Sequence, residues 1–460
     1  MKLDATICWE ALKARDARFD GRFFTGVVST GIFCRPVCPA RTPLQRNCRF
    51  YPSAAAALSE GFRPCLRCRP ETAPGSSPWN GTSAAARRAL RLIEEGALDG
   101  GSVAGLAARV GLGERQLRRI FLDTFGATPV AVAQTRRVLL ARKLLRETAL
   151  PTADVSAAAG FGSLRRFREA LGPLDRRKAG EGKAIRLRLA YRPPYDWPAM
   201  LDFFRVRAVA GVEEVSEDSY ARTFRVGGVQ GRLRLRPVAG EHSVEVEMAL
   251  ESLTALPRVV AGVRRLFDLD ADPLAIADGL QSHPALAERL AARPGLRLPG
   301  AWDAFEMSVR ATLEQQVTPK GAATLTSRLV ALAGPATPDG ERLFPTAEEL
   351  LGVDLSGMGL TGARRRALAG LAEAFEAERI PLDGPVEAIR EALEGVSGVG
   401  PWTSHYIALR ACGDPDAFPP KDLGLRRVFG GSDAELLQAA EAWRPWRAYA
   451  AMHLWTPLPL

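Results

Sequence analysis

Residues 393–411 read LEGVSGVGPWTSHYIALRA, and residues 417–429 read AFPPKDLGLRRVF. Gly398 and Gly400 bracket a tight hairpin between two helices, where a missing Cβ lets backbone amides face an anion. Pro401 opens the second helix, whose N-terminal amides lie behind that hairpin. A hairpin of this kind grips a phosphate backbone without reading bases. Asp422 follows two prolines at the start of the next helix. Local sequence reads it as an N-cap.

Upstream, residues 258–460 are expected to be mostly helical. Residues 184–255 alternate like strands in IRLRLAY, ARTFRV, GRLRLRP and HSVEVEMAL. Before them come two helix-turn-helix patterns. The first is SVAGLAARV, the turn GLG, then ERQLRRIFLDTFG; the second is TADVSAAAG followed by FGSLRRFREAL. TPVAVAQTRRVLLARKLLRET joins them as a connecting helix. Each pattern sets a small-residue helix before an Arg-bearing helix suited to a major groove. Gln116, Arg118 and Arg119, and then Ser163, Arg165 and Arg166, are the candidate base or phosphate contacts. Glu71–Ser83 (ETAPGSSPWNGTS) and Gly172–Lys183 (GPLDRRKAGEGK) read as linkers.

The first residues are rich in cysteine. Cys34 and Cys38 lie in GIFCRPVCPAR, and Cys65 and Cys68 lie in FRPCLRCRP. Two close pairs of soft ligands make a tetrahedral set for Zn(2+), and spacing alone points first to a structural zinc knuckle. Cys8 and Cys48 have no paired spacing and read as packing residues.

Charge divides the chain. Residues 1–180 hold 30 Lys and Arg against 15 Asp and Glu, while the remainder holds 32 against 37. The whole excess of +10 therefore falls in the first part, as expected for contact with double-stranded DNA. No apolar run spans a bilayer, and the charged N-terminus is not a signal peptide, so a cytoplasmic protein without membrane contact is expected.

Several stretches resemble known families. RDARFDGRFFTGVVSTGIFCRPVCPAR and FYPSAAAALSEGFRPCLRCRP closely resemble the N-terminal domain of the Ada DNA-repair family over residues 4–70. The resemblance implies that Cys34, Cys38, Cys65 and Cys68 hold zinc. It implies also that Cys34 takes a methyl group from DNA methylphosphotriesters, and that Thr30, Arg41 and Arg63 contact DNA. The tandem helix-turn-helix region looks like the AraC-type domain that follows this module in Ada. Such regulators imply promoter DNA, and RNA polymerase, as partners.

Residues 185–460 resemble the AlkA glycosylase family through YRPPYDWPAMLDFFRVRAV, VSEDSYARTF, RLFDLDADP, ARPGLRLPGAWDAFE and AWRPWRAYAAMHLW. That likeness implies a catalytic Asp422, a base pocket of Trp402, Tyr406, Trp455 and Phe203, and excision of bases such as 3-methyladenine. Trp402 stands where strand-cutting relatives carry a Schiff-base lysine, which implies a monofunctional enzyme. Three positions depart from the family. Gln316 replaces a leucine that wedges into the duplex, Leu423 replaces an aromatic residue, and Lys421 replaces an acidic one. No Pro-Cys-His-Arg methyltransferase motif occurs, and Cys412 in RACGDPD does not supply one, so direct reversal of O-6-methylguanine is not expected.

The expected fold class is α+β multidomain. A zinc-binding α/β module occupies 1–72 and an all-α double helix-turn-helix domain occupies 84–172. An antiparallel β-rich subdomain at 184–295 and a helix-hairpin-helix glycosylase domain at 296–460 complete the chain. The expected activities are methyl acceptance, promoter binding and base excision. The alternative is a transcriptional regulator whose glycosylase-like half binds DNA without catalysis.

Overall fold

A computed structural model describes residues 3–75, 84–171 and 185–457, and the fold is α+β and multidomain. Of the expected linkers, 76–83 of the first and the whole of the second, 172–183, lie outside the described residues. Two compact units emerge, one of Met1–Pro193, Val238–Ala261 and Leu269–Asp272, the other of Pro194–Pro237, Gly262–Asp268 and Pro273–Leu460. Among the described residues the strands are β1 Phe24–Val27, β2 Ile32–Cys34, β3 Cys48–Tyr51, β4 Arg63–Pro64, β5 Ile185–Ala190, β6 Glu213–Val215, β7 Tyr220–Val226, β8 Val229–Pro237 and β9 Ser243–Leu250. The strand-rich stretch is shared, with β5 and β9 in the first unit and β6 to β8 in the second.

In the first unit, β1 pairs antiparallel with β2 and β3, while β4 runs parallel to β2. Phe24, Phe33 and Phe62 pack on the helix Ala54–Ser59, whose small side chains Ala54 and Ala57 admit the rings closely. Ser53 caps this helix by accepting from the Ala56 amide, and donates its hydroxyl proton to the Phe125 carbonyl at 2.7 Å. The helix-turn-helix region forms as expected. Val103–Arg109 precedes Glu114–Phe125, and Thr152–Ala158 precedes Leu164–Leu171, with Pro129–Glu147 between the pairs. Leu117, Phe121 and Phe125 recur at helical spacing and enter one core with Ile93 and Leu106.

Ion pairs bind the cysteine-rich module to the connecting helix. The buried Glu71 carboxylate meets Arg146 at 2.9 Å, and Glu147 meets Arg69 at 3.0 Å and Lys143 at 3.1 Å. Strand β5 alternates as its sequence requires, with Ile185, Leu187 and Leu189 buried and Arg186 and Arg188 exposed, and it pairs antiparallel with β9.

The second unit contains the meander of β6, β7 and β8 and most of the helices. One helix, Trp197–Arg207, interrupts the stretch expected to be strands. Asp196 caps it through the Ala199 amide and Pro198 sits in its first turn, a start signal that outweighs the neighbouring alternation. Below it lies a buried ion cluster. Arg222 and Arg310 both bond Glu306, at 2.6 and 2.9 Å, and Arg310 also reaches Glu213 at 3.0 Å. Against the cost of burial, the Arg222 and Arg310 guanidiniums hold the Glu306 carboxyl below its ordinary value. No helix among the described residues is long and apolar enough to cross a membrane.

Candidate metal centre and base pocket

The four expected cysteines converge. One ligand sulfur from each of Cys34, Cys38, Cys65 and Cys68 lies within 4.8 Å of the others. Strand pairing explains the convergence, since β2 ends at Cys34 while β4, parallel to it, delivers the chain to Cys65. Cys38, Cys65 and Cys68 are buried; Cys34 is half-buried and so the most accessible. The Arg35 amide points at Cys68 Sγ at 3.3 Å and the Arg67 amide at Cys65 Sγ at 3.4 Å.

The donor set fits a soft divalent cation. Hydrogen bonding to Cys38 pushes the Cys34 thiol up, as do Cys68 and burial, while the same contact holds Cys38 down. Cys8 packs instead with Ala11 and Phe23, as expected of a packing residue.

Arg35 ties the centre to its surroundings. Its guanidinium donates to the Cys68 carbonyl and to Thr72 and pairs with Asp20. Thr30, in the turn between β1 and β2, is exposed, as are Arg41 and Arg63. Gln116, Arg118 and Arg119 are exposed on Glu114–Phe125, and Arg118 pairs with Glu114 at 2.6 Å. Arg165 and Arg166 are exposed on the second such helix, where the Ser163 hydroxyl accepts from the Arg166 amide.

In the second unit, Phe203, Trp402, Tyr406, Trp455 and Asp422 line a single cavity of about 480 Å³. Three helices supply the rings: Trp197–Arg207, Pro401–Ala411 and Arg447–Trp455. Trp402 and Tyr406, one helical turn apart, stack at 5.0 Å with 26° between their planes. Trp455 meets Tyr406 edge-on at 6.0 Å. The Tyr406 hydroxyl accepts from buried Arg410 at 3.0 Å, which fixes the ring.

Asp422 is the N-cap that local sequence suggested. Its Oδ1 accepts from the Leu425 amide at 2.8 Å, but the carboxylate has two further donors. The Trp402 indole N–H reaches Oδ2 at 2.8 Å and the Trp455 indole N–H reaches Oδ1 at 3.1 Å. Capping and presentation to the cavity are thus compatible, and Asp422 keeps only 8% of its surface exposed.

Gly398 has φ +92° and a Cβ there would lie 2.8 Å from Ala367, so the hairpin needs glycine. At Gly400 a Cβ would meet open space, which leaves that amide face approachable. Gln315 donates to the Gly398 carbonyl and to Thr403, both at 3.0 Å, tying the next loop to the hairpin. Gln316 beside it is exposed with φ +57°, and Lys421 has φ +56°; both are uncommon for residues with a Cβ. The cavity also contains Arg207 and Glu314, which sequence reasoning missed. The signal for Arg207 was present, since it follows Phe203 by one helical turn.

Residues 7–71 match the metal binding domain of Ada, 106–172 a helix-turn-helix domain, and 186–303 the AlkA N-terminal domain. The chain is 40% identical to a probable bifunctional transcriptional activator/DNA repair enzyme AlkA of Mycobacterium tuberculosis, covering 98% of this chain and 96% of that protein. It is 38% identical to DNA-3-methyladenine glycosylase 2 of Escherichia coli over 58% of this chain and 95% of that one. It is 37% identical to the bifunctional transcriptional activator/DNA repair enzyme Ada of Escherichia coli, over 40% of this chain and 51% of Ada. Among solved structures, a 3-methyladenine DNA-glycosylase from Archaeoglobus fulgidus superposes with a TM-score of 0.53 at 20% identity, covering 58% of this chain and 97% of that one. That last likeness is one of fold alone.

Proposed function

The chain belongs to the family of bifunctional transcriptional activator/DNA repair enzymes AlkA, and from that premise we propose how its residues divide the work. Its function is DNA alkylation repair joined to transcriptional regulation. It is a DNA-3-methyladenine glycosylase with a methylphosphotriester-accepting, zinc-binding module.

The observation that carries the excision reading is the Asp422 carboxylate held between two indole N–H groups at an aromatic cavity. Alkylation at a ring nitrogen makes a purine cationic, so it leaves easily once the nucleotide is flipped out. Trp402, Tyr406, Trp455 and Phe203 enclose the base. The C–N glycosidic bond breaks with its electron pair going to the departing base, and the Asp422 carboxylate stabilises the positive charge left on the sugar. Water then adds to that carbon and loses a proton. The hairpin at Gly398 and Gly400 grips a phosphate, and Gln316 fills the gap in the duplex. Trp402 at the lysine position supports a monofunctional reaction that leaves the strand uncut.

Cys34, Cys38, Cys65 and Cys68 hold the zinc, which when bound keeps its sulfurs deprotonated at neutral pH. Cys34, the most accessible of the four, is the methyl acceptor. Its sulfur forms the S–CH3 bond as the O–CH3 bond of the phosphotriester breaks, and a phosphodiester anion leaves. The centre loses one negative charge, so its repulsion from DNA falls. Thr30, Arg41 and Arg63 contact the backbone there.

The helix-turn-helix pair binds promoter DNA through Gln116, Arg118, Arg119, Ser163, Arg165 and Arg166. RNA polymerase is the further partner and the cytoplasm the location. The test is incubation with methylated DNA and identification of released bases, with 3-methyladenine expected. A regulator with a silent glycosylase half would release none.

A further inference from the structure

Arg207 and Glu314 are two of the five charged side chains that line the cavity beside the aromatic set. The Arg207 guanidinium lies 3.9 Å from the centre of the Phe203 ring, and buried Arg410 approaches the same ring at 4.7 Å. Phe203 is therefore already engaged with two protein cations. Glu314, the last residue of the helix Ala304–Glu314, brings Oε1 to 3.5 Å from Arg207 Nε, and that Nε has no hydrogen-bond partner. Other charges at the cavity have partners elsewhere: Asp202 pairs with Arg205 and Arg293 with Asp196. Asp422 is held by its cap and the two indoles.

A cationic purine entering this cavity meets Arg207 at close range. Like charges in a partly desolvated site repel strongly, and a neighbouring carboxylate cancels most of that field. We propose that Glu314 is the counter-charge of Arg207, and that this pairing lets the pocket prefer a positively charged purine over a neutral one of the same outline. The inference rests on the excision reading above. It assigns Glu314 a part in specificity through Arg207, distinct from the Asp422 chemistry.

The test uses the full-length protein and duplexes carrying a 2′-fluoro nucleotide, which resists base loss. One duplex carries 7-methylguanine, a cation, and the other carries 7-methyl-7-deazaguanine, its neutral isostere. Wild type is expected to bind the cationic duplex more tightly. Glu314→Gln should cut that preference about tenfold, the size of one uncancelled charge near a protein surface. Glu314→Asp should keep it, and Glu314→Gln combined with Arg207→Met should restore it. A preference unchanged by Glu314→Gln, an equal loss on both duplexes, or no restoration by the double variant would overturn the assignment. The excision reading fails separately, through absence of base release by wild type from ordinary methylated DNA.

Discussion

Trp402 donates its indole N–H to Asp422 at 2.8 Å, although twenty residues separate them in sequence. The same indole stacks on Tyr406, so one side chain both walls the cavity and aims the carboxylate. Trp402→Phe keeps a ring on Tyr406 and removes the donor. A hydrogen bond to a charged group contributes roughly 1.5–3 kcal/mol, so single-turnover release of 3-methyladenine should fall about tenfold or more, with little change in folding. Release at the wild-type rate would mean that the indole does not position Asp422.

One zinc per chain is expected in protein purified without chelator, as measured by elemental analysis. Cys65→Ser should lose it and unfold the module around the four sulfurs, since a structural zinc site contributes folding energy directly. Hydrogen exchange would register the loss as rapid labelling of residues 3–70. Metal-free protein with a protected module would contradict the assignment.

Exposure to methylphosphotriester DNA should add a single methyl group to Cys34, located by peptide mass spectrometry. DNA affinity at low salt should rise with that modification and the gain should shrink as salt is added. A methyl group on Cys38, Cys65 or Cys68 would overturn the choice of acceptor.

Much of this was legible in the sequence because the chemistry is local. The cysteine pairs, the GVG hairpin and the two helix-turn-helix patterns each fit within a few turns of chain, and each folds as read. The helix Trp197–Arg207 was hidden inside a strand-like region, although the DWP start signal was there to see. Arg207 and Glu314 were missed because they are brought together by packing from segments more than a hundred residues apart. The indole contacts on Asp422 were equally out of reach. Spacing can place Trp402 and Trp455 near a cavity, but only the packing of three helices turns their N–H groups onto one carboxylate.

His453, in the helix that carries Trp455, has its titration pushed down to about 4, chiefly by burial and then by Arg289. Its Nδ1 has no hydrogen-bond partner. The folded state thus holds the neutral ring, and its contribution to stability is complete above the ordinary value of 6.5 and is lost as pH falls towards 4. The loss is of order 3 kcal/mol. His453→Leu should flatten that part of the profile, seen as a thermal midpoint less sensitive to pH between 6.5 and 4. Identical pH dependence in both proteins would show that His453 does not titrate there.

Release of 3-methyladenine from methylated DNA by wild type and Asp422→Asn tests most directly whether Asp422 carries the excision chemistry. Asparagine keeps an acceptor for the Leu425 amide but loses the charge, and leaves one indole N–H facing an amide at a cost of about 1–3 kcal/mol. The variant should fold and bind DNA, yet release base slower by orders of magnitude, because electrostatic stabilisation is worth about 3–4 kcal/mol in such transition states. Neither protein should form a borohydride-trapped complex with DNA. Near-wild-type release by Asp422→Asn would reduce Asp422 to a helix cap, and a trapped complex would instead reveal a lysine nucleophile.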